Sequence, residues 1–108
     1  MRAVDTWDIG TLDVRPHMPQ VLCTDADSRA IAINLPRGEL MQEHEVHENS
    51  YLFVADGEVE ISHADETAVA GVGFVAHFAP HERREVRARS DARLVMVLAP
   101  YPALTRRS

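Results

Sequence analysis

The segment from Gly38 to Ser62 reads GELMQEHEVHENSYLFVADGEVEIS, and it sets the expectation for the whole chain. Tyr51 to Val54 is an apolar run, and Asp56-Gly57 is the strongest common turn pair of a β-hairpin. Val59 and Ile61 then alternate with Glu58, Glu60 and Ser62. Glycine at position 57 supplies the positive φ that a tight turn needs. This pattern predicts a hairpin with Leu52 and Val54 buried and Glu58 and Glu60 exposed. The stretch from Gly38 to His47 is the one place where a helical turn is an alternative.

Outward from this segment, other short strands follow. Upstream, Arg29 to Leu35 alternates, with Ile31, Ile33 and Leu35 on one face, and stops at Pro36-Arg37-Gly38. Val21 to Cys23 is a short strand before the turn residues Thr24 to Ser28. Weak alternation of Trp7, Ile9, Leu12 and Val14 ends at Pro16-His17-Met18-Pro19. Downstream, His63 to Thr67 is a polar turn, and Gly71 and Gly73 place a bend between short strands in Ala68 to Phe78. Glu85 to Arg89 alternates again, and Arg93 to Ala99 is a β-rich buried strand stopped by Pro100-Tyr101-Pro102. Many short strands separated by turns predict an all-β protein, a single antiparallel barrel or sandwich.

The spacing in Gly38 to Ser62 resembles the first motif of the cupin superfamily: Gly, five residues, His-x-His, three or four residues, Glu, six residues, Gly. His44 follows Gly38 at the motif distance and Gly57 closes it, while Val46 stands at the second histidine and Ser50 at the glutamate. A second motif would open at Gly73. Counting from it puts Ala79 at the proline, His81 at the second glycine, Arg84 at the histidine and Ala88 at the asparagine. Pro80 falls one residue late, so a one-residue insertion would put Glu85 at the histidine position instead. The resemblance spans roughly Arg29 to Ala99. It implies a jelly-roll β-barrel, the double-stranded β-helix, with residues 1–28 as an N-terminal arm and edge strands, 29–102 as the barrel and 103–108 as a tail.

In metal-bearing cupins, the first-motif histidines and glutamate join the second-motif histidine around one divalent ion. Of those four positions only His44 is retained here, so no metal is expected. If one binds, His44 with His47 or His81 would hold it, and iron, manganese, zinc or nickel would be the candidates. Strand alternation turns His47 away from the face of His44 and Val46; a helical turn would bring them together. His63 and His17 are expected to be solvated, and His77 to be a hydrogen-bonded strand residue. Arg84, at a position that faces the lumen, cannot shed its charge and must find acceptors such as Glu48 or an anionic ligand.

Composition narrows the function classes. The chain has 108 residues, enough for one domain, and is 45% apolar and 26% charged. Net charge is −6 and all eleven basic residues are arginines. Such an acidic chain lacks the footprint of a nucleic-acid binder. The cluster Arg83, Arg84, Arg87, Arg89 and Arg93 alternates with acids and is expected to be largely a solvated strand face. Cys23 is the only cysteine, which excludes an internal disulfide and is expected to be a small buried hydrophobe. The longest apolar run, Leu94 to Ala99, is too short to span a bilayer, and no signal-peptide core stands at the start. A cytoplasmic protein is expected. No nucleophile elbow or phosphate loop is present.

Two functions are open at this point. The first is a binding module whose lumen, lined by His44, Val46, Ser50, Leu52, Val54 and Arg84, takes a small anionic ligand without a cofactor. The second is a divalent-metal cupin enzyme of dioxygenase or isomerase type with rearranged histidine ligands. A homodimer is expected in either case, because a small barrel leaves edge strands to cover.

Overall fold

The structure, a computed structural model, describes residues 1, 3, 5, 6, 20–25, 27–42 and 47–99. All regular structure among them is β. The described residues hold nine strands: β1 (Gln20–Thr24), β2 (Arg29–Leu35), β3 (Leu40–Gln42), β4 (Asn49–Asp56), β5 (Val59–His63), β6 (Glu66–Ala70), β7 (Val75–Phe78), β8 (Glu85–Ala88) and β9 (Ala92–Ala99). They form a five-stranded sheet in the order β1-β2-β9-β4-β7 and a four-stranded sheet in the order β3-β8-β5-β6. Every pairing is antiparallel. From β2 onward the chain changes sheet at each connection except β5–β6. This is the jelly roll, or double-stranded β-helix.

The period-2 pattern of the sequence explains which residues meet between the sheets. Ile31, Ile33 and Leu35 of β2, Leu52 and Val54 of β4, and Leu94, Met96 and Leu98 of β9 point inward from one sheet. Met41, Val59, Ile61, Val86 and Ala88 answer them from the other. Leu35, Leu52, Leu94, Val59 and Val86 are almost completely buried, and each side chain of this kind contributes about 1.5–3 kcal/mol of transfer free energy. β9 lies between β2 and β4, so its continuous apolar run has a neighbour on both edges.

Asp56-Gly57 is not a hairpin turn. β4 pairs with β7 and β9, whereas β5 pairs with β6 and β8, so the two strands flanking this dipeptide belong to different sheets. Gly57 has φ +79°, as the turn chemistry required, but it makes a corner between layers. A Cβ there would overlap the Asp91 carbonyl oxygen. The corner is tied to the β8–β9 turn: Glu58 N donates to Ser90 Oγ at 3.0 Å, and Glu58 O accepts from Arg89 N at 2.8 Å. The hairpin is the next connection, β5–β6, closed by Ala64 and Asp65 with His63 opposite Glu66.

Other expectations shift in detail. Glu58 is exposed, but Glu60 is only half-buried, since β5 is flanked by β6 and β8 on both sides. Leu40–Gln42 is strand rather than helical turn, because it pairs with Glu85–Arg87. Cys23 is half-buried rather than buried, since β1 is an edge strand. Among the described residues, no helix is long and apolar enough to cross a membrane.

Candidate functional site

Arg84 immediately precedes β8, and the strand's alternation decides where it points. Arg84, Val86 and Ala88 are buried, while Glu85, Arg87 and Arg89 are exposed. Arg84 therefore faces the interior and Glu85 does not. Arg84 is 2% exposed. Within the rest of the basic cluster, Arg83, Arg87 and Arg89 lie in solvent and Arg93 is half-buried, as a solvated strand face requires in the main.

Three elements receive the guanidinium. Ser50 enters from β4 on the same inward parity as Leu52 and Val54, and its hydroxyl accepts from Arg84 Nη2 at 3.3 Å. Met96 of β9 places its sulfur 3.8 Å from the same nitrogen. Phe78 closes β7 and lies under the cation, with Arg84 Cζ 4.7 Å from the ring centroid. Phe78 is paired in register with Ser50, which is why both reach one spot. Glu48 is also buried, just before β4.

A braced loop delivers Arg84 to this place. In the turn Ala79–Glu82, Glu82 N donates to Ala79 O at 3.2 Å, and Glu82 Oε1 accepts from Ala79 N at 2.5 Å. His63 reaches across from β5: Nδ1 donates to the Arg83 carbonyl at 3.0 Å, and Nε2 lies 2.8 Å from Glu82 Oε2. His63 is thus not simply solvated. It is a strand residue whose ring fixes the backbone one position before Arg84.

The remaining sequence candidates divide as follows. Ser50, Leu52, Val54 and Arg84 are all buried between the sheets. His44 and Val46 lie outside the described residues, as do His17 and the apolar positions Trp7, Ile9, Leu12 and Val14. His47 and His81 stand edge to face with ring centroids 5.0 Å apart. His81 has φ +73°, the left-handed conformation that favours glycine. His77 hydrogen-bonds Asn49 Oδ1 at 3.1 Å and packs on Tyr51, on the outer side of its sheet.

Among the described residues, the two that the motif count assigns as ligands do not fit the divalent ion that the resemblance implies. A hydroxyl and a guanidinium occupy two of its ligand positions, and a guanidinium has no lone pair to give and repels a cation. Among the described residues, no three His, Cys, Asp or Glu side chains converge.

Sequence reasoning missed Phe78, Met96, His63 and Glu82 as parts of this arrangement. Alternation through Phe74, Ala76 and Phe78 marks the inward parity of Phe78. His63 and Glu82 are 19 residues apart, and no local pattern links them.

No family model matches the sequence, and no curated protein matches it. Solved structures match it widely, with 309 chains in all, so the shared architecture alone selects no activity. A cupin-2 domain containing protein from Shewanella frigidimarina superposes with TM-score 0.78 at 14% identity, over 92% of this chain and 95% of that one. KdgF from Halomonas sp. gives 0.76 at 18% identity, over 84% and 87%. An RmlC-like cupin family protein with a double-stranded β-helix fold from Methanocaldococcus jannaschii gives 0.72 at 20% identity, over 84% and 86%. At these identities the likeness shows the fold.

Proposed function

We propose that this chain, which has the cupin fold, is a cytoplasmic binding module that holds a small organic anion in its lumen with the Arg84 guanidinium as anchor. The observation that carries this reading is a permanently charged side chain, 2% exposed, inside a barrel. A guanidinium carries five donors in a fixed fork, and a carboxylate accepts two parallel hydrogen bonds from it. Ser50 adds a hydroxyl beside it, and His44 is the further donor the motif spacing supplies. Leu52 and Val54 give apolar wall for the ligand's body, and Val46 is the further apolar residue that the motif spacing supplies. No metal takes part in this function.

A second reading has one observation in its favour. His47 and His81 lie together, so a divalent ion held by His44 with either of them would make the protein a metal-dependent cupin enzyme of dioxygenase or isomerase type. Arg84 would be a bystander in that chemistry.

A thermal-shift screen of small organic acids against wild type and Arg84→Leu separates the two. Removing one buried charge can leave its neighbours uncompensated, so circular dichroism must first show that the variant is folded. Stabilisation by particular carboxylates should appear in the wild type and vanish in Arg84→Leu. Equal stabilisation of both proteins would remove Arg84 as the anchor.

A further inference from the structure

β6 and β7 are the last strands of their respective sheets, and the short turn Gly71–Phe74 joins them, so their edges form one seam of the barrel. Strand register decides which side chains face that seam. Glu66, Ala68 and Ala70 lie opposite His63, Ile61 and Val59 of β5, and so share the inward parity of the buried Ile61 and Val59. Ala76 and Phe78 lie opposite Leu52 and Ser50 and point inward in the same way. On β6 the usual pattern is reversed. Its inward positions hold a carboxylate and two alanines, while Val69 points out and is 50% exposed. A strand patterned this way cannot fill the interior it faces, and such breaks of the binary pattern are expected where a protein keeps a site. Ala70 is buried, yet Ala68 and Glu66 are exposed and Phe74 and Ala76 half-buried. The two sheets thus part toward Glu66. They leave a slot of about 490 Å³ walled by Ile61, Ala68, Phe74, Ala76 and Phe78.

We infer that this slot is a binding site for a small amphiphilic cation, an amine with an aromatic or aliphatic body. Its volume lies within the roughly 300–1,000 Å³ of small-molecule sites, and its walls are mainly apolar. The four steps from Phe74 to Phe78, at about 3.3 Å each, run roughly 13 Å, the length of a ring with a short alkyl chain. The body belongs at the Phe74 end, where buried Ala70 closes the seam.

The head group follows from the charges at the other end. Glu66 lines the slot there, and among the described residues no arginine does. His63 stands opposite Glu66, but its Nδ1 is engaged by the Arg83 carbonyl and its Nε2 by Glu82. Glu82 is further occupied by Ala79 N. His63 therefore offers the slot its ring, and Glu66 is the carboxylate left to receive a cation. Phe78 separates this slot from the lumen, since Arg84 lies over its face and His63 meets its edge. Neither Arg84 nor Ser50 lines the slot, so the inference stands apart from the reading of Arg84 as an anion anchor.

Calorimetric titration of the full chain with phenylbutylamine and phenylbutanol tests this, because the two probes share a body and differ only in the head. Circular dichroism and thermal unfolding first confirm that each variant is folded. The amine should bind one to one and about fivefold tighter than the alcohol, the gain of one partly exposed ion pair. Glu66→Gln should bring the amine down to the affinity of the alcohol and leave the alcohol unchanged. Ala68→Phe fills the slot and should abolish binding of both. Glu66→Gln, an exchange at an exposed position, keeps the test open if Ala68→Phe disturbs the β5–β6 hairpin. Absence of saturable amine binding overturns the inference, whether the slot is then closed by other residues of the chain or taken by another protein. Equal affinity of amine and alcohol in the wild type, or amine binding untouched by Glu66→Gln, overturns it as well.

Discussion

The guanidinium of Arg84 rests on the face of Phe78, 4.7 Å from the ring centroid, and both side chains are enclosed between the sheets. A cation–π contact shielded from water is worth about 2 kcal/mol, more than at an exposed site. The ring is therefore part of how the barrel tolerates the charge, beyond the volume it fills.

A double-mutant cycle on this pair measures that contribution. Phe78→Leu alone should destabilise by about 2 kcal/mol. In an Arg84→Met background it should cost about 1–2 kcal/mol less, because the cation that the ring faces is gone. Urea unfolding of the four proteins gives the coupling. Strict additivity would reduce Phe78 to a space filler.

Two glycines with similar backbones should respond differently. Gly38 and Gly57 have φ +86° and +79°, but space around Gly38 is open, and a Cβ on Gly57 would overlap Asp91 and Ala92 backbone atoms. Gly38→Ala should cost about 1 kcal/mol from backbone strain alone. Gly57→Ala should cost about 3 kcal/mol or more, since the corner and the β8–β9 turn must separate. Equal midpoints in denaturant would show that the two turns yield freely.

Metal content is a third expected outcome. Protein purified without a histidine tag should carry well under one equivalent of iron, manganese, zinc or nickel by elemental analysis. Ser50 and Arg84 stand at ligand positions and offer a divalent ion little. Stoichiometric metal in the wild type that is lost in His44→Ala would reverse this.

Strands were legible in the sequence wherever one face is apolar and the other polar, as in Ile31, Ile33 and Leu35 or Val86 and Ala88. The inward direction of Arg84 followed from the same alternation once the motif frame set the register. What a strand pairs with was not legible. Asp56-Gly57 has the local chemistry of a hairpin, yet the pairing of Val59 and Ile61 is decided by Ala88 and Val86, more than twenty residues on. His63 was misjudged for the same reason: its partners Glu82 and Arg83 come close only after β8 has docked beside β5.

The alternation in β8 also guards the fold against a specific error. Slipping that strand by one position would send Glu85, Arg87 and Arg89 into the interior and put Val86 and Ala88 in water. One enclosed cation with a hydroxyl and a ring beside it is tolerable; three enclosed ions without them are not. A misthreaded chain would thus be rejected on charge before any packing is complete. The strand that follows Arg84 thus fixes, by its own alternation, which way that side chain is sent.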